Sequence, residues 1–323
     1  MSGTNQTMLV IKEFILVGFP GFQDQESRKT LFTIFLITYL FILLVNLMLI
    51  SIFIVDRNLH TPMYFLVCSL AVLDIVLSTT TVPRMLVLFI ADLRSTPFAA
   101  CFTQVYLFLS LTSVECFLLG LMAYDRFFAV SKPLHYPTIM TNRHILKLII
   151  CCWLGGFLCP ATAVGLALRF PFCGPNKITQ CFCDYSSVLL LACGDIMVTS
   201  YVALAIGLCI LFIPLIYIIF SYAKIIMSVL KISSAGRMKA FSTCGTHLLV
   251  ISLYFFVIAG VYISYRIPGT SVDVRIMASV LQNVLPPLMN PIIYCLRTKE
   301  IRESFARNLW KIRNILTHSI TLQ

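Results

Sequence analysis

The chain has 323 residues, of which 59% are hydrophobic and only 11% are charged, and its formal net charge is +11. A soluble domain of this length could not bury so much apolar surface, whereas a lipid bilayer accepts it, so the composition excludes an ordinary soluble protein. The excess of lysine and arginine indicates contact with anionic membrane lipid and with an intracellular partner, and it carries no sign of nucleic-acid binding.

Seven apolar segments are long enough to cross a bilayer as helices. They predict an all-α membrane protein, a seven-transmembrane helix bundle, because only helices and closed barrels satisfy their backbone polar groups in lipid. The predicted spans are 30–55, 62–90, 99–124, 145–168, 197–222, 240–264 and 273–296.

The bundle, residues 30–296, follows an N-terminal segment, 1–29, and precedes a tail, 297–323. In the tail, apolar residues recur every fourth position among basic ones, which predicts a short amphipathic helix on the membrane surface. These apolar residues are Ile301, Phe305 and Leu309.

Charged residues set the orientation of the bundle. Lysine and arginine are concentrated, and acids are few, in the segments 56–60, 125–147, 224–239 and 297–323. By the positive-inside rule this side is cytoplasmic, so the N-terminus lies outside. We therefore expect a multi-pass protein of the plasma membrane with an extracellular N-terminus.

The N-terminal segment, 1–29, is polar and lacks the pattern of a signal peptide, so we expect the first span to act as the insertion signal. It contains the triplet Asn5-Gln6-Thr7, which is a glycosylation sequon on the side predicted to be outside. We predict that Asn5 is glycosylated.

An acid and a base, Asp125 and Arg126, stand side by side at the end of the third apolar run. A charged pair at the level of the headgroups can stay ionised. In one interpretation Asp125 restrains Arg126 in one state, and Arg126 turns toward a partner in another. In the other, Arg126 only snorkels to the membrane boundary. The stretch alone leaves both open.

Two further acids, Asp74 and Glu115, lie deep in the second and third spans. A carboxylate at that depth is costly unless it is protonated, paired or bound to a cation. Two such acids on neighbouring helices could share one cation or one proton, or they could be two separately hydrogen-bonded neutral acids. We expect a polar site with Asn290 that holds Na⁺ at Asp74 and Glu115, and we expect no other cofactor.

Four motifs occur along the chain in a fixed order, and the last one includes a proline that loosens the seventh span near its inner end. They are Pro62-Met63-Tyr64-Phe65-Leu66, Met122-Ala123-Tyr124-Asp125-Arg126, Lys239-Ala240-Phe241-Ser242-Thr243-Cys244 and Asn290-Pro291-Ile292-Ile293-Tyr294. In order and spacing they resemble the signatures of the rhodopsin-like (class A) G-protein-coupled receptors and, within them, of the odorant (olfactory) receptors. The resemblance covers the whole chain. Pro286-Pro287-Leu288-Met289-Asn290 and Cys244-Gly245-Thr246-His247 are more similar to the fish-like (class I) branch.

The resemblance implies a ligand-activated receptor without enzymatic chemistry. A small odorant would enter from outside, and the inner face would activate a heterotrimeric G protein of the stimulatory, cyclase-coupled, olfactory type. The residues implied in this switch are Asp125, Arg126, Tyr222, Asn290, Pro291 and Tyr294. A non-olfactory chemosensory receptor of the same family is the alternative.

Two other function classes fit the sequence less well. A small-solute transporter would show interrupted helices in repeated halves, and the chain has no such internal symmetry. An intramembrane enzyme would need a nucleophile and a base, or two metal ligands, at matched depth. Among the histidines only His247 lies in a predicted span, where it stands alone.

The resemblance also places a ligand pocket among the third, fifth, sixth and seventh spans. Apolar residues that recur along one face of a helix more often form the packing core than a ligand contact. The resemblance reverses that preference here. The predicted pocket residues are Phe108, Leu109, Thr112, Ser113, Ile206, Ile210, Phe255, Ile258, Tyr262, Arg266 and Asn283. They suit a small, largely hydrophobic ligand.

Arg266 would decide whether that ligand carries a carboxylate. A guanidinium at the roof of a pocket can hold a carboxylate bidentately, which suits short-chain acids. Alternatively Arg266 snorkels to the outer headgroups or pairs with Asp273. The sequence leaves these interpretations nearly level.

The outer cysteines match the family pattern, and two other positions depart from it. The resemblance implies the disulfides Cys101–Cys183 and Cys173–Cys193, whereas Cys181 has no counterpart in the pattern. The departures are Phe127, where the family usually has tyrosine after Asp-Arg, and Tyr254-Phe255, where it usually has the reverse order. The second departure puts the usual polar contact at the pocket floor in doubt.

Overall fold

The structure is a computed structural model that describes residues 11–173, 175–230 and 234–308, without the side chains of 234–243 and Arg266. Within this part, seven helices are long and apolar enough to cross a membrane, which confirms the predicted fold class. In chain order the elements are β1 (Glu13–Leu16), α1 (Gln25–Val55), a 3₁₀ turn (Arg57–Leu59), α2 (Pro62–Ala91), β2 (Ser95–Pro97), α3 (Phe98–Ser131), α4 (Tyr136–Ile139), α5 (Asn142–Ala167), β3 (Lys177–Ile178), α6 (Tyr185–Leu189), α7 (Met197–Val229), α8 (Ser234–Arg266), α9 (Val272–Arg297) and α10 (299–308).

The spanning helices are longer than their apolar runs because polar caps and polar final turns extend them. Asp24 accepts a hydrogen bond from the backbone N–H of Ser27 at 2.8 Å, so α1 begins at Gln25 and not at residue 30. Pro62 opens α2, where a missing N–H costs nothing. The C-terminal end of α3 continues past residue 124 to Ser131, so Asp125 and Arg126 lie inside the helix.

A three-stranded sheet covers one end of the bundle, which we call the outer face after the predicted topology. Its strand order is β2-β1-β3, and β1 pairs antiparallel with β2 and parallel with β3. β1 was not predicted from the sequence. Asn5 and its sequon lie outside the described residues, and so does Leu309 of the predicted tail helix.

The loop between α5 and α7 is fixed by both disulfides that the resemblance implied. Cys101 at the start of α3 is bonded to Cys183, and Cys173 is bonded to Cys193. Cys181 is a free, fully buried thiol. Burial raises the pKa of Cys181, which keeps the thiol protonated and unreactive.

At the centre of the bundle, α3 packs against α2, α5, α7 and α8. Polar side chains fasten the other helices to one another. The amide of Asn46 on α1 donates to the backbone carbonyl of Pro287 on α9 at 3.0 Å, and the indole of Trp153 on α5 donates to Ser69 on α2 at 3.1 Å. Buried amides and hydroxyls of this kind hold helices together where lipid offers no alternative partner.

Candidate functional site

A cavity of about 310 Å³ lies among α3, α5, α7 and α8, beneath the short helix α6. We call it the main cavity. It includes seven of the predicted pocket residues: Phe108, Leu109, Thr112 and Ser113 on α3, Ile206 and Ile210 on α7, and Ile258 on α8. The hydroxyl of Ser113 is turned to the backbone carbonyl of Leu109 at 2.7 Å, so the α3 wall is largely apolar toward the cavity.

Three predicted residues whose side chains the structure describes do not line the main cavity. On α8, Tyr254 takes the place expected of Phe255, and the two rings meet edge to face at 5.4 Å. On α9, Gln282 lines the cavity, whereas Asn283 is buried and donates to the backbone carbonyl of Ser279 at 2.8 Å. On each of these two helices one residue was therefore predicted one position too far along the chain, whereas Ile258 on α8 lines the cavity.

The other two residues predicted on α8, Tyr262 and Arg266, are nearer the outer end of the helix. Tyr262 lines a neighbouring chamber of about 520 Å³, which we call the lateral chamber. The side chain of Arg266 lies outside the described residues. Its proposed alternative partner, Asp273, accepts hydrogen bonds from the backbone N–H of Gly21 at 3.2 and 3.1 Å.

The floor of the main cavity is a polar contact between α3 and α8. The hydroxyl of Tyr254 lies 2.9 Å from the sulfur of Cys116 and donates to the backbone carbonyl of Thr112 at 3.3 Å. The reversed aromatic order, Tyr254 before Phe255, therefore still places a hydroxyl at the floor.

The roof of the main cavity is built from the loop that carries Cys183. The ring of Phe182 meets that of Phe108 at 5.5 Å, and the Cys101–Cys183 disulfide ties this segment to α3. The backbone N–H of Cys183 donates to the side chain of Gln104 at 2.9 Å. The loop is therefore held against α3 by a covalent bond, a hydrogen bond and an aromatic contact.

Asp184 and Tyr185 line the main cavity and were missed by the sequence analysis. Asp184 caps α6 by accepting hydrogen bonds from the N–H and hydroxyl of Ser187 at 3.1 and 3.2 Å. Burial raises the pKa of the Asp184 carboxyl. The available signal was the Asp-x-x-Ser spacing directly after Cys183, which is typical of a capped helix start.

At the inner end of α3, Asp125 and Arg126 form a buried ion pair. The Arg126 Nε donates to Asp125 at 2.9 Å, and a second guanidinium N–H donates to the same oxygen. The other carboxylate oxygen accepts a hydrogen bond of 2.8 Å from Tyr136 on α4, which the sequence analysis did not identify. Asp125 is thus held from both sides while it restrains Arg126.

The remaining predicted switch residues lie on α7 and α9. Tyr222 donates to the backbone carbonyl of Cys244 at 3.4 Å. Tyr294 is fully buried, and its hydroxyl lies 3.3 Å from Nδ1 of His247 and 3.6 Å from the sulfur of Met122. In this structure Tyr294 therefore points into the bundle, between α3 and α8. Pro291 is also buried in α9.

The chain is similar to known proteins of one family. The profile of a family described as "Olfactory receptor" matches residues 35–311. The chain is 40% identical to olfactory receptor 11H6 of Homo sapiens over 306 residues, which are 94% of this chain and 92% of that protein. The chain belongs to the olfactory receptor family. It is also 39% identical to olfactory receptor 6B9 of Mus musculus over 300 residues, which are 93% of this chain and 94% of that receptor.

The fold agrees with this assignment. Squid rhodopsin superposes with a TM-score of 0.72 at 15% identity, covering 92% of this chain and 91% of that one. As an olfactory receptor the protein is a multi-pass membrane receptor and not an enzyme. Membership of the family implies an odorant ligand and a heterotrimeric G protein as partners. The assignment to the fish-like branch stays a prediction.

The deep polar site of the receptor joins α2 to α9. The amide of Asn290 lies 3.2 Å from each oxygen of the buried Asp74 carboxylate. Glu115 on α3 is also buried, and its carboxylate is close enough to Asp74 for the two charges to repel. Asp74 and Asn290 are therefore in contact as expected, whereas Glu115 is a neighbour without a hydrogen bond to either among the described residues.

Proposed function

We propose that this olfactory receptor binds a small, largely hydrophobic odorant from the outside and activates a stimulatory, cyclase-coupled G protein at the plasma membrane. The observation that carries the proposal is the main cavity, which lies near the outer face, is walled mainly by apolar side chains and includes only a few polar groups. Small-molecule sites have this composition, because apolar walls supply affinity and a few polar groups fix the orientation.

The described cavity lining favours a neutral ligand over an acid. It includes the carboxyl group of Asp184 and, among the described residues, no lysine or arginine. A carboxylate-bearing odorant would depend on Arg266, whose side chain lies outside the described residues. We propose that acids bind only if Arg266 reaches the cavity, and that alcohols and esters of the same skeleton bind without it.

The inner face offers two features that suit a G protein. Arg126 is restrained by Asp125 and would become available when that pair separates. Leu134, between α3 and α4, is 90% exposed, although it is a large apolar residue. An exposed leucine and a releasable arginine on the inner side suit a partner with an apolar pocket and acidic groups, which supports coupling at this face.

We further propose that Asp74, Glu115 and Asn290 would hold Na⁺ in one state of the receptor. Two carboxylates buried on neighbouring helices need protons or a cation to offset their charge, and oxygen atoms are the ligands that hard cations prefer. The donor set therefore fits the ion. A bound Na⁺ would supply one positive charge that fastens α2 and α3 to α9, which favours the closed packing.

A cyclic-AMP assay in cells, with surface staining in parallel, tests the receptor proposal. The panel should contain matched alcohols, esters and carboxylic acids of about 6–10 heavy atoms, a size suited to a cavity in the lower part of the usual range. We expect some neutral members to raise cyclic AMP, and Arg126→Ala to abolish that response at unchanged surface level. A response that survives Arg126→Ala would make Asp125 and Arg126 a boundary marker only.

Sodium has its own test. Dose–response curves of the wild type should shift between low and high Na⁺, and those of Asp74→Asn should not. If both receptors respond alike at the two concentrations, no sodium site operates here.

A further inference from the structure

The main cavity is separated from the outer water by two layers of the chain. Gln180, Cys181, Phe182 and Cys183 of the loop above it are all buried. Outside that loop lies the N-terminal segment, where the N–H groups of Val17 and Gly18 donate to the backbone carbonyls of Ile178 and Gln180 at 2.8 and 3.1 Å. An odorant arriving from above would have to break this cover.

The side of the bundle that faces lipid is open at the same level. The lateral chamber lies among α6, α7 and the outer end of α8, and it shares several lining residues with the main cavity. The shared residues are Leu109, Asp184, Tyr185, Ala203, Gly207 and Leu211. The two cavities therefore adjoin each other along these residues.

The outer half of α7 is only partly covered by the rest of the bundle. No residue from 200 to 213 is buried, whereas the inner half of the helix buries Pro214, Ile218 and Tyr222 among others. Gly207 lies where the two cavities meet, and a Cβ added there would find no atom within 4 Å. This part of α7 therefore leaves an unfilled space beside the cavities.

The mouth of the lateral chamber lies at the depth of the outer leaflet. Leu204 and Leu208 line the chamber and are 51% and 41% exposed. At a rise of 1.5 Å per residue they lie roughly 10 and 16 Å below the start of α7 at Met197, which places Leu204 in the outer half of a bilayer core of about 30 Å and Leu208 near its middle. Apolar side chains at this depth face lipid tails.

We propose that odorants reach the main cavity sideways from the outer leaflet, through the lateral chamber between α6, α7 and α8. Apolar molecules concentrate in the bilayer before they meet the receptor, so this route draws on the larger reservoir of ligand. The inference rests on the proposed function for its ligand, but the route itself is a property of the cavity. A depression of about 350 Å³ on the outer face, lined by Lys177 and Arg275, shares no lining residue with the main cavity and meets the lateral chamber at Leu190.

A native thiol allows the route to be measured without an odorant. Cys116 lines the main cavity, and Cys209 is exposed on α7 as a reference. The receptor in lipid vesicles would be treated with N-ethylmaleimide, which partitions into the bilayer, or with a permanently charged trimethylammonium methanethiosulfonate, which stays in water. The modified fraction of each cysteine would be followed by mass spectrometry of the digested protein.

We expect N-ethylmaleimide to modify Cys116 and the charged reagent to leave it unmodified. Leu204→Trp, which narrows the mouth, should slow the reaction at Cys116 roughly tenfold, the factor given by about 1.4 kcal/mol in the barrier, and Leu204→Ala should accelerate it. Ile216→Trp is the matched control, because Ile216 is an exposed aliphatic residue of α7 that lines neither cavity. Thr112→Cys supplies a second cavity thiol in case the contact with Tyr254 slows Cys116.

Three results would overturn the proposal. One is modification of the cavity thiols by the charged reagent as fast as by the maleimide, which would mean entry from water through the roof. Another is an unchanged rate in Leu204→Trp. The third is failure of the maleimide at both Cys116 and Thr112→Cys while Cys209 reacts. Because labelling needs no signalling, such a failure leaves the proposed receptor function standing, and a silent receptor with normal labelling leaves the route standing.

Discussion

Gly156 on α5 lies directly against Val114 on α3. A Cβ added to Gly156 would be 2.3 Å from a methyl carbon of Val114, 2.8 Å from its backbone nitrogen and 3.1 Å from the backbone carbonyl of Ser110. Two of these three atoms belong to the backbone, so the contact cannot be relieved by a change of rotamer. Small residues allow helices in membranes to approach this closely, and here the approach fixes the wall of α3 on which the main cavity is built.

We therefore expect Gly156→Ala to separate α5 from α3 and to lower the thermal stability of the purified receptor. Overpacking of a tight contact typically costs about 1–3 kcal/mol. Gly165→Ala is the control on the same helix, because a Cβ at Gly165 would meet no atom within 4 Å. Equal melting temperatures for the two variants would show that α5 and α3 can separate without loss of stability.

Tyr136→Phe should raise signalling in the absence of odorant. The hydroxyl of Tyr136 holds one oxygen of Asp125, whose other oxygen restrains Arg126, so its removal leaves Asp125 freer to turn away. A hydrogen bond to a charged group contributes about 1.5–3 kcal/mol, which allows at most a shift of roughly 10- to 150-fold in the balance of states. Basal cyclic AMP at matched surface level is the measurement, and a value at or below wild type would contradict the restraint.

Asp56 fastens α10 to the turn after α1. Its side chain accepts a hydrogen bond from Arg307 at 2.7 Å, and the neighbouring Ser304 hydroxyl and Arg307 guanidinium lower the pKa of the Asp56 carboxyl. An acid whose pKa is lowered on folding contributes stability above its ordinary pKa of about 3.9, and that stability is lost as the pH falls through the depressed value. The contact is therefore at full strength at pH 7.

Accordingly, Asp56→Asn should speed hydrogen exchange in 299–308 at pH 7 and lower the melting temperature by an amount that is constant from pH 8 to pH 5. The difference from wild type should narrow only below about pH 4. Glu303→Gln is the control, because it breaks the exposed pair with Lys299, and such pairs contribute little. A difference that already narrows between pH 8 and pH 6 would assign the effect to another group.

The sequence predicted those parts of the molecule that depend on chemistry local in the chain. Apolar length located the spans, the motifs located Asp125 and Arg126, and the depth of Asp74 in its span led to the predicted contact with Asn290. The choice between neighbouring residues of one helix failed at Phe255 and Asn283 because a helix turns by about 100° per residue. An error of one residue in the assumed facing direction moves a side chain out of the cavity.

Several contacts that join distant segments could not be read from the sequence. β1 forms because its N–H and C=O groups find partners on β2 and β3, which are more than 75 residues away. Tyr136 becomes part of the switch because α4 folds back along the end of α3. Asp184 reaches the cavity because the Cys101–Cys183 disulfide pulls its loop over α3. Each depends on a tertiary contact that produces no recognisable pattern in the sequence.

A substitution at Tyr254 would test whether the polar floor of the cavity also holds the receptor in its inactive state. Its hydroxyl joins α8 to Thr112 and Cys116 on α3, so it must be released if α8 moves outward. We expect Tyr254→Phe to raise basal cyclic AMP by up to roughly tenfold at equal surface level, since a neutral hydrogen bond contributes about 0.5–1.5 kcal/mol. Phe255→Leu, a change at the neighbouring ring that removes no hydrogen bond, should leave basal signalling unchanged. Restoring a hydroxyl one residue later, in the double variant Tyr254→Phe with Phe255→Tyr, should fail to reverse the effect, because position 255 does not line the cavity. Full reversal by that variant would show that either position of α8 can reach α3, and that the inward face inferred here is wrong.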